Sequence, residues 1–284
     1  MPAVPAVQAH AHAGGIGRRR LLRLGAQAGL LRSLALPMLL AGCVGVAPRP
    51  SDLLVFAAAS LHAVFTELSA LFQAQRPGAR VTLQFAASPQ LREQIEQGAP
   101  ADVFAAASSD EPRRLVERGL LLGDPVPFAR NTIVLAVPLQ DPARIASLAD
   151  LARPGVRLVI AAAEVPVGRY ARAVLAGYAR ATGDATYLAR VLANVASFET
   201  SARGVAAKVE LGEADAGLVY ATDVIDAARK LRALDIPAAL QPAVEYSMAV
   251  VRASRTPAQA QAFVTYVRSD AGLRVLAAFG FGAP

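Results

Sequence analysis

Cysteine occurs once in the 284 residues, as Cys43, and histidine only as His10, His12 and His62. A single thiol excludes an internal disulfide framework. A body whose only imidazole is His62 has no histidine pair with which to hold a zinc ion. Acidic residues are missing from positions 1–42, which carry five arginines: Arg18, Arg19, Arg20, Arg23 and Arg32. Without those five, the formal charge of +7 becomes 24 basic against 22 acidic side chains, and so near-neutral a body argues against nucleic acid as a partner. Beyond residue 43 no stretch reaches the roughly 18–20 uninterrupted apolar residues of a membrane span. There is no repeat of fixed period, no low-complexity tract in the body, and no glycine-rich dinucleotide or nucleoside-phosphate loop.

What is present begins with an address. Arg18-Arg19-Arg20-Leu21-Leu22-Arg23 opens a Leu/Ala-rich run that ends in small residues, the layout of a removable export signal over 1–42. The cluster resembles the twin-arginine export signature. Leu40-Ala41-Gly42-Cys43 resembles the lipobox of bacterial lipoproteins, which implies that Cys43 becomes the first mature residue and carries a lipid. Anchoring is then by lipid rather than by a helix. Residues 43–52, with two prolines among small residues, read as a tether.

The rest of the chain, 54% apolar overall, is long enough to bury a substantial core. From residue 53 short apolar runs alternate with amphipathic stretches, so the fold class is α/β. Strands are expected at 53–58, 80–85, 103–106, 132–137, 157–161, 216–220 and 247–251. Their continuous apolar character suggests burial on both faces. Leu61, Val64, Phe65, Leu68, Leu71 and Phe72 recur at helical spacing, closed by Pro77 and Gly78. Ser88 reads as the cap of a second helix, with Pro89 at its first position. The segment 257–279 reads as two helices broken near 269–272. A late strand and two helices following a complete second α/β set suit two lobes joined by two crossovers. Lobe 1 is assigned 53–130 and 247–284, and lobe 2 131–246.

Four junctions, at 57–61, 86–90, 165–169 and 200–204, share one design: small residues end a strand or loop and a helix begins at once. Helix amino ends present N–H groups without intrahelical acceptors and the positive end of the dipole, and so attract anions. The side chains there are mostly Ser, Ala, Val and Gly, which admit a ligand to the backbone and add hydroxyl donors without bringing a full positive charge. Tyr220 ends another strand and aims a phenol at the same crevice. Hydrogen bonds to a charged group contribute about 1.5–3 kcal/mol each. Several converging donors therefore suffice for a desolvated dianion, and a donor-only site rejects protonated oxyanions.

The runs Val55-Phe56-Ala57-Ala58-Ala59-Ser60-Leu61, Phe85-Ala86-Ala87-Ser88, Gln97-Gly98-Ala99-Pro100-Ala101-Asp102-Val103-Phe104, Val165-Pro166-Val167-Gly168-Arg169-Tyr170-Ala171 and Gly212-Glu213-Ala214-Asp215-Ala216-Gly217-Leu218-Val219-Tyr220 occur in this order. Together they resemble the periplasmic molybdate-binding proteins of ABC importers, over about residues 53–281. The resemblance implies a type II periplasmic binding protein: two Rossmann-like lobes, a hinge of two crossover strands, and closure over the ligand. It implies oxyanion contacts at Ser60, Ser88, Val167, Ala202 and Tyr220, with Ala202 anchored mainly by the neighbouring Arg203-Gly204. It further implies molybdate or tungstate as ligand, no cofactor, no directly ligated metal cation, an ABC permease as membrane partner, a monomer, and a lipid-anchored periplasmic location.

Two other readings remain open at this level. Within binding proteins, sulfate shares the tetrahedral shape, while ferric iron carriers usually rely on paired tyrosines and Tyr220 stands between Val219 and Ala221. In a different class, a serine-dependent hydrolase would use Ser60 with His62, but no third group is supplied to orient the base. The expectation is a protein that is not an enzyme.

Overall fold

The computed structural model describes residues 52–284. The export signal expected at 1–42, the expected lipidation at Cys43 and the expected tether up to residue 51 lie outside the described residues.

Strand β1 (Leu53–Ala58) leads through a 3-10 turn at Ala59–Leu61 into α1 (His62–Ala74). The alternation continues with β2 (Val81–Ala86), α2 (Ser88–Glu96), β3 (Val103–Ala106) and α3 (Asp110–Glu117), and β4 (Leu121–Asn131) ends this half. The second half comprises β5 (Ile133–Pro138), β6 (Leu158–Ala161), α4 (Pro166–Thr182), α5 (Tyr187–Ala193), β7 (Val195–Glu199), α6 (Ala202–Glu210), β8 (Ala216–Tyr220), α7 (Ala221–Asp226) and β9 (Leu231–Asp235). Strand β10 (Val244–Val251) then returns to the first sheet, followed by α8 (Pro257–Val267) and α9 (Asp270–Ala278).

Two five-stranded sheets result, ordered β2-β1-β3-β10-β4 and β7-β6-β8-β5-β9. Each is mixed rather than wholly parallel. In the first, β1 runs parallel to β2 and β3, while β10 is antiparallel to β3 and β4. In the second, β6 is parallel to β7 and β8, and β5 antiparallel to β8 and β9. The chain crosses between sheets at Thr132 and again over residues 236–243. Each sheet with its helices is one lobe, so the molecule is a two-lobed α/β protein.

The apolar spacing read in α1 buries Val64, Phe65, Leu68 and Phe72. Phe65 and Phe72 meet Phe263 of α8 edge-on, with centroids 6.2 and 5.2 Å apart, an arrangement that aromatic quadrupoles favour. Expected burial on both faces holds for β1, β3, β6 and β8, but β2 is only partly buried because it is an edge.

The repeated Ala-Asp of two quoted runs has a common physical role. Asp102, just before β3, accepts the Leu54 N–H at 2.7 Å and the Ser254 and Thr256 hydroxyls at 2.6 and 3.3 Å. Asp215, just before β8, accepts the Arg157 N–H at 2.8 Å and its guanidinium at 2.7 Å. Burial pushes the Asp215 carboxyl up, but the hydrogen bonds and charge of Arg157 outweigh it and hold the pKa below the usual carboxylate value. In both lobes a buried carboxylate thus ties the start of a central strand to its neighbour, and aligns the strand ends that face the cleft.

Candidate binding site between the lobes

Ser60, Ser88, Val167, Ala202 and Tyr220 all line one cavity of about 20 Å³, with Ala58, Ala59, Ala86, Ala87, Ala107, Val165, Pro166 and Ser201. A single water needs about 10–15 Å³ on the same measure, so the space suits one compact guest. The first two residues come from lobe 1 and the other three from lobe 2.

Local sequence explains how each group gets there. Ser60 lies in the 3-10 turn between β1 and α1, where small residues let the chain reverse beside the cavity. Pro166 occupies the first position of α4, and the first intrahelical bond runs from the Arg169 N–H to the Val165 carbonyl at 3.1 Å. Val167 and Gly168 are left with N–H groups that the helix itself cannot satisfy. Gly168 is required because a Cβ there would stand 1.9 Å from the Ala162 carbonyl oxygen, so tightly does α4 start against the end of β6. Ser201 caps α6 by accepting the Gly204 N–H at 3.0 Å, which leaves the Ala202 N–H in the same condition.

Ser88 does not cap its helix, contrary to the sequence reading. Ala87 is the capping residue of α2, and the buried Ser88 hydroxyl instead accepts the Ala107 N–H at 3.1 Å, reaching across to the end of β3. With an acceptor site of its oxygen so occupied, Ser88 has its proton left to donate.

Among the described residues, the Tyr220 hydroxyl is the one buried side-chain polar atom with no hydrogen-bond partner. Tyr246 is its close neighbour, ring centroids 5.6 Å apart, but their hydroxyls are not in bonding geometry. Burial raises the Tyr220 pKa well above its ordinary value, so the group is a neutral O–H donor. An unsatisfied buried hydroxyl costs about 1–3 kcal/mol, and its placement on a cavity wall points to a guest that accepts. No Lys, Arg, Asp or Glu lines this cavity. The site is therefore a set of uncharged donors.

Three features of the site escaped the sequence reading. Asn131, Thr222 and Tyr246 form a buried polar cluster behind Ser60. Arg169, quoted above only as part of a run, crosses from lobe 2 to the Ser108 hydroxyl at 3.5 Å and to Asp110 and Glu111 of α3 at 3.5 and 3.4 Å. A cavity of about 280 Å³ adjoins the first at Ser60, with Arg203, Asp223 and Phe281 on its walls. None of these had a local signal beyond the polarity of residues in otherwise apolar strands. His62, the base required by the hydrolase alternative, is exposed, rests on the Phe85 ring at 4.6 Å, and does not line the cavity. Among the described residues, no cluster of three or more His, Cys, Asp or Glu side chains could hold a metal ion.

Residues 53–282 match the family model described as bacterial extracellular solute-binding protein. The chain belongs to that family. Among its solute-binding relatives, the molybdate-binding protein ModA of Mycobacterium tuberculosis is 38% identical over 268 residues, covering 90% of this chain and 98% of the relative. The solved periplasmic molybdate-binding protein of Azotobacter vinelandii shares the fold with a TM-score of 0.71 at 22% identity, over 82% of this chain and 99% of that one. The sulfate-binding protein SubI of Mycobacterium tuberculosis does so with a TM-score of 0.72 at 20% identity, over 81% and 86%. The resemblance read from the five motifs, and the two-lobed α/β architecture it implied, are borne out in this solute-binding family.

Proposed function

We propose that the protein captures a tetrahedral oxyanion dianion, molybdate or its near-equal tungstate, and delivers it to the permease of an ABC importer. The observation that carries this reading is the convergence of uncharged donors from both lobes on a small cavity that includes the orphaned Tyr220 hydroxyl. Ser60, Ser88 and Tyr220 supply hydroxyl donors, and Val167 and Ala202 supply backbone N–H groups at helix amino ends, where the dipole favours an anion. A dianion bridging both halves binds the closed arrangement more tightly than an open one, which makes closure the signal to a membrane partner. The 38% identical relative named for molybdate supports this choice of anion.

On the same reading the protein is exported, loses residues 1–42 and is held at a membrane by a lipid on Cys43, acting as a monomer without cofactor or catalytic step. Among the described residues, no helix is long and apolar enough to cross a membrane. Sulfate is the second reading, favoured by the shared fold of the sulfate-binding neighbour.

Isothermal calorimetry decides between them. Molybdate is expected to bind at one site per chain and sulfate far more weakly; equal affinities would remove the preference. Tyr220→Phe deletes one donor to a charged guest and is expected to weaken molybdate by about 10- to 100-fold. An unchanged affinity would remove the tyrosine from the site.

A further inference from the structure

The Ser60 hydroxyl has a hydrogen-bond partner behind the cavity, the Tyr246 hydroxyl. Asn131, at the end of β4, and Tyr246, near the start of β10, belong to the two strands that flank the crossings between lobes, and both are buried. The Asn131 Oδ1 accepts the Thr132 N–H at 2.9 Å, which fixes the orientation of the amide. Its Nδ2 then faces the Thr222 hydroxyl at 2.9 Å and the Tyr246 hydroxyl at 3.5 Å, so each amide hydrogen has an acceptor. The Tyr246 oxygen, met by a donor on that side, lies 3.1 Å from the Ser60 Oγ.

Either hydroxyl could donate in this last pair on distance alone, and the choice matters. Were Ser60 the donor, it would present only lone pairs to the cavity and repel an anion. With Tyr246 as donor, the Ser60 oxygen is occupied from behind and its own proton turns to the guest.

We propose that Tyr246, oriented by Asn131, is a positioning residue that sets Ser60 as an obligate donor and thereby makes the site selective for fully deprotonated oxyanions. The proposal rests on the oxyanion reading above. Burial of the Tyr246 phenol raises its pKa far beyond the ordinary tyrosine value, so the proton that the relay requires stays in place. Without Tyr246 the Ser60 hydroxyl rotates freely and offers a lone pair as readily as a proton. Hydrogen phosphate, a dianion at pH 8 that keeps one proton, then finds the acceptor it needs.

Tyr246→Phe in the full chain is the test, since it keeps the ring against Phe128, Tyr220 and Phe281 and removes only the hydroxyl. Competition titrations at pH 8 with molybdate, sulfate and hydrogen phosphate read affinity and selectivity together. The unsubstituted chain is expected to prefer molybdate, and Tyr246→Phe to narrow that preference over hydrogen phosphate by roughly tenfold or more, the scale of one hydrogen bond to a charged group. A purely structural role would weaken all three anions alike and leave the ratio where it was, which overturns the proposal.

The same substitution in a Ser60→Ala background gives a double-mutant cycle. Because Tyr246 acts through Ser60, its effect is expected to shrink to about twofold or less there; an equal effect in both backgrounds overturns the proposal. Should Tyr246→Phe fail to fold, Asn131→Ala removes the group that orients Tyr246 and is expected to narrow the ratio in the same direction; an unchanged ratio overturns it. Absence of binding of all three anions by the unsubstituted chain overturns the oxyanion reading and this inference with it. Binding with an unaltered ratio overturns this inference alone.

Discussion

Gly168→Ala is expected to destabilise the protein by about 3 kcal/mol or more and to lower molybdate affinity by at least about 100-fold, the equivalent of roughly two lost hydrogen bonds. A Cβ at this position would lie 1.9 Å from the Ala162 carbonyl oxygen, 2.6 Å from that of Ala161 and 2.8 Å from the Ala162 carbonyl carbon. All three obstacles are backbone, so no side chain can swing aside. The first turn of α4 must retreat from the end of β6, and the Val167 N–H withdraws from the cavity wall with it. Gly177, further along the same helix, provides the control. A Cβ there would meet only side-chain atoms, the Leu240 Cδ2 at 3.4 Å and the Arg180 Nη2 at 3.9 Å, and Ala in a helix interior is favoured over Gly by about 1 kcal/mol. Thermal unfolding and calorimetry on both variants should show Gly177→Ala stabilised with affinity intact and Gly168→Ala impaired in both. Native-like values for Gly168→Ala would show that α4 can start elsewhere.

The second large effect is on pH. The chain is expected to lose stability as pH rises from about 4 to about 7, because of Asp223 in α7. This carboxyl is 9% exposed, and its Oδ2 accepts the Tyr220 N–H at 3.0 Å. Burial raises its pKa from 3.8 to about 7, with the charge of Asp226 pushing the same way and the Tyr220 N–H and Arg203 opposing. The unfolded chain releases this proton near pH 4, whereas the folded chain holds it until about pH 7. The native state therefore binds the additional proton across that window, and stability falls as pH rises through it and levels off above. The whole interval amounts to on the order of 4 kcal/mol. In Asp150 and Asp215 burial pushes upward but hydrogen bonds outweigh it, so both carboxyls titrate below the usual range and outside this window. Urea unfolding at pH 5 and pH 8 should show the difference, and Asp223→Asn, which keeps an oxygen for the Tyr220 N–H, should abolish it. Equal stability of the unsubstituted chain at the two pH values would mean that Asp223 is ionised in the fold, contrary to the expectation.

Every strand that sequence reading missed lies at a sheet edge, although the edge strand β2 was read. The central runs β1, β3, β6 and β8 are short, apolar and buried at nearly every residue, so hydropathy alone marks them. Three strands went unread: β4, β7 and β9, each at an edge with a single neighbouring strand. Leu121–Asn131 contains a glycine, an aspartate and two prolines, and looks like a loop. Prolines are tolerated there because an edge strand needs only one side of its backbone for the ladder. Near its end the outer edge is met by the carboxyl-terminal segment, where Arg130 and Gly282 exchange two backbone bonds of 2.9 Å, which closes that position to pairing with another chain. In β7 half-buried positions alternate with exposed ones, and in β9 only Leu231 is fully buried, so no continuous apolar run appears.

For the site, the sequence by itself determined the chemistry on offer: mostly small residues at four strand-to-helix junctions and a tyrosine at the end of an apolar strand. These are local properties, written in residue type and in the rules that start helices. Only the tertiary structure decided that the five groups meet in one cavity, that Ser88 reaches the end of β3 rather than capping its own helix, and that Asn131 and Tyr246 stand behind Ser60. Those outcomes depend on contacts between residues 19 to 186 positions apart, and no propensity or spacing encodes them, because they exist only after the two sheets have closed on each other.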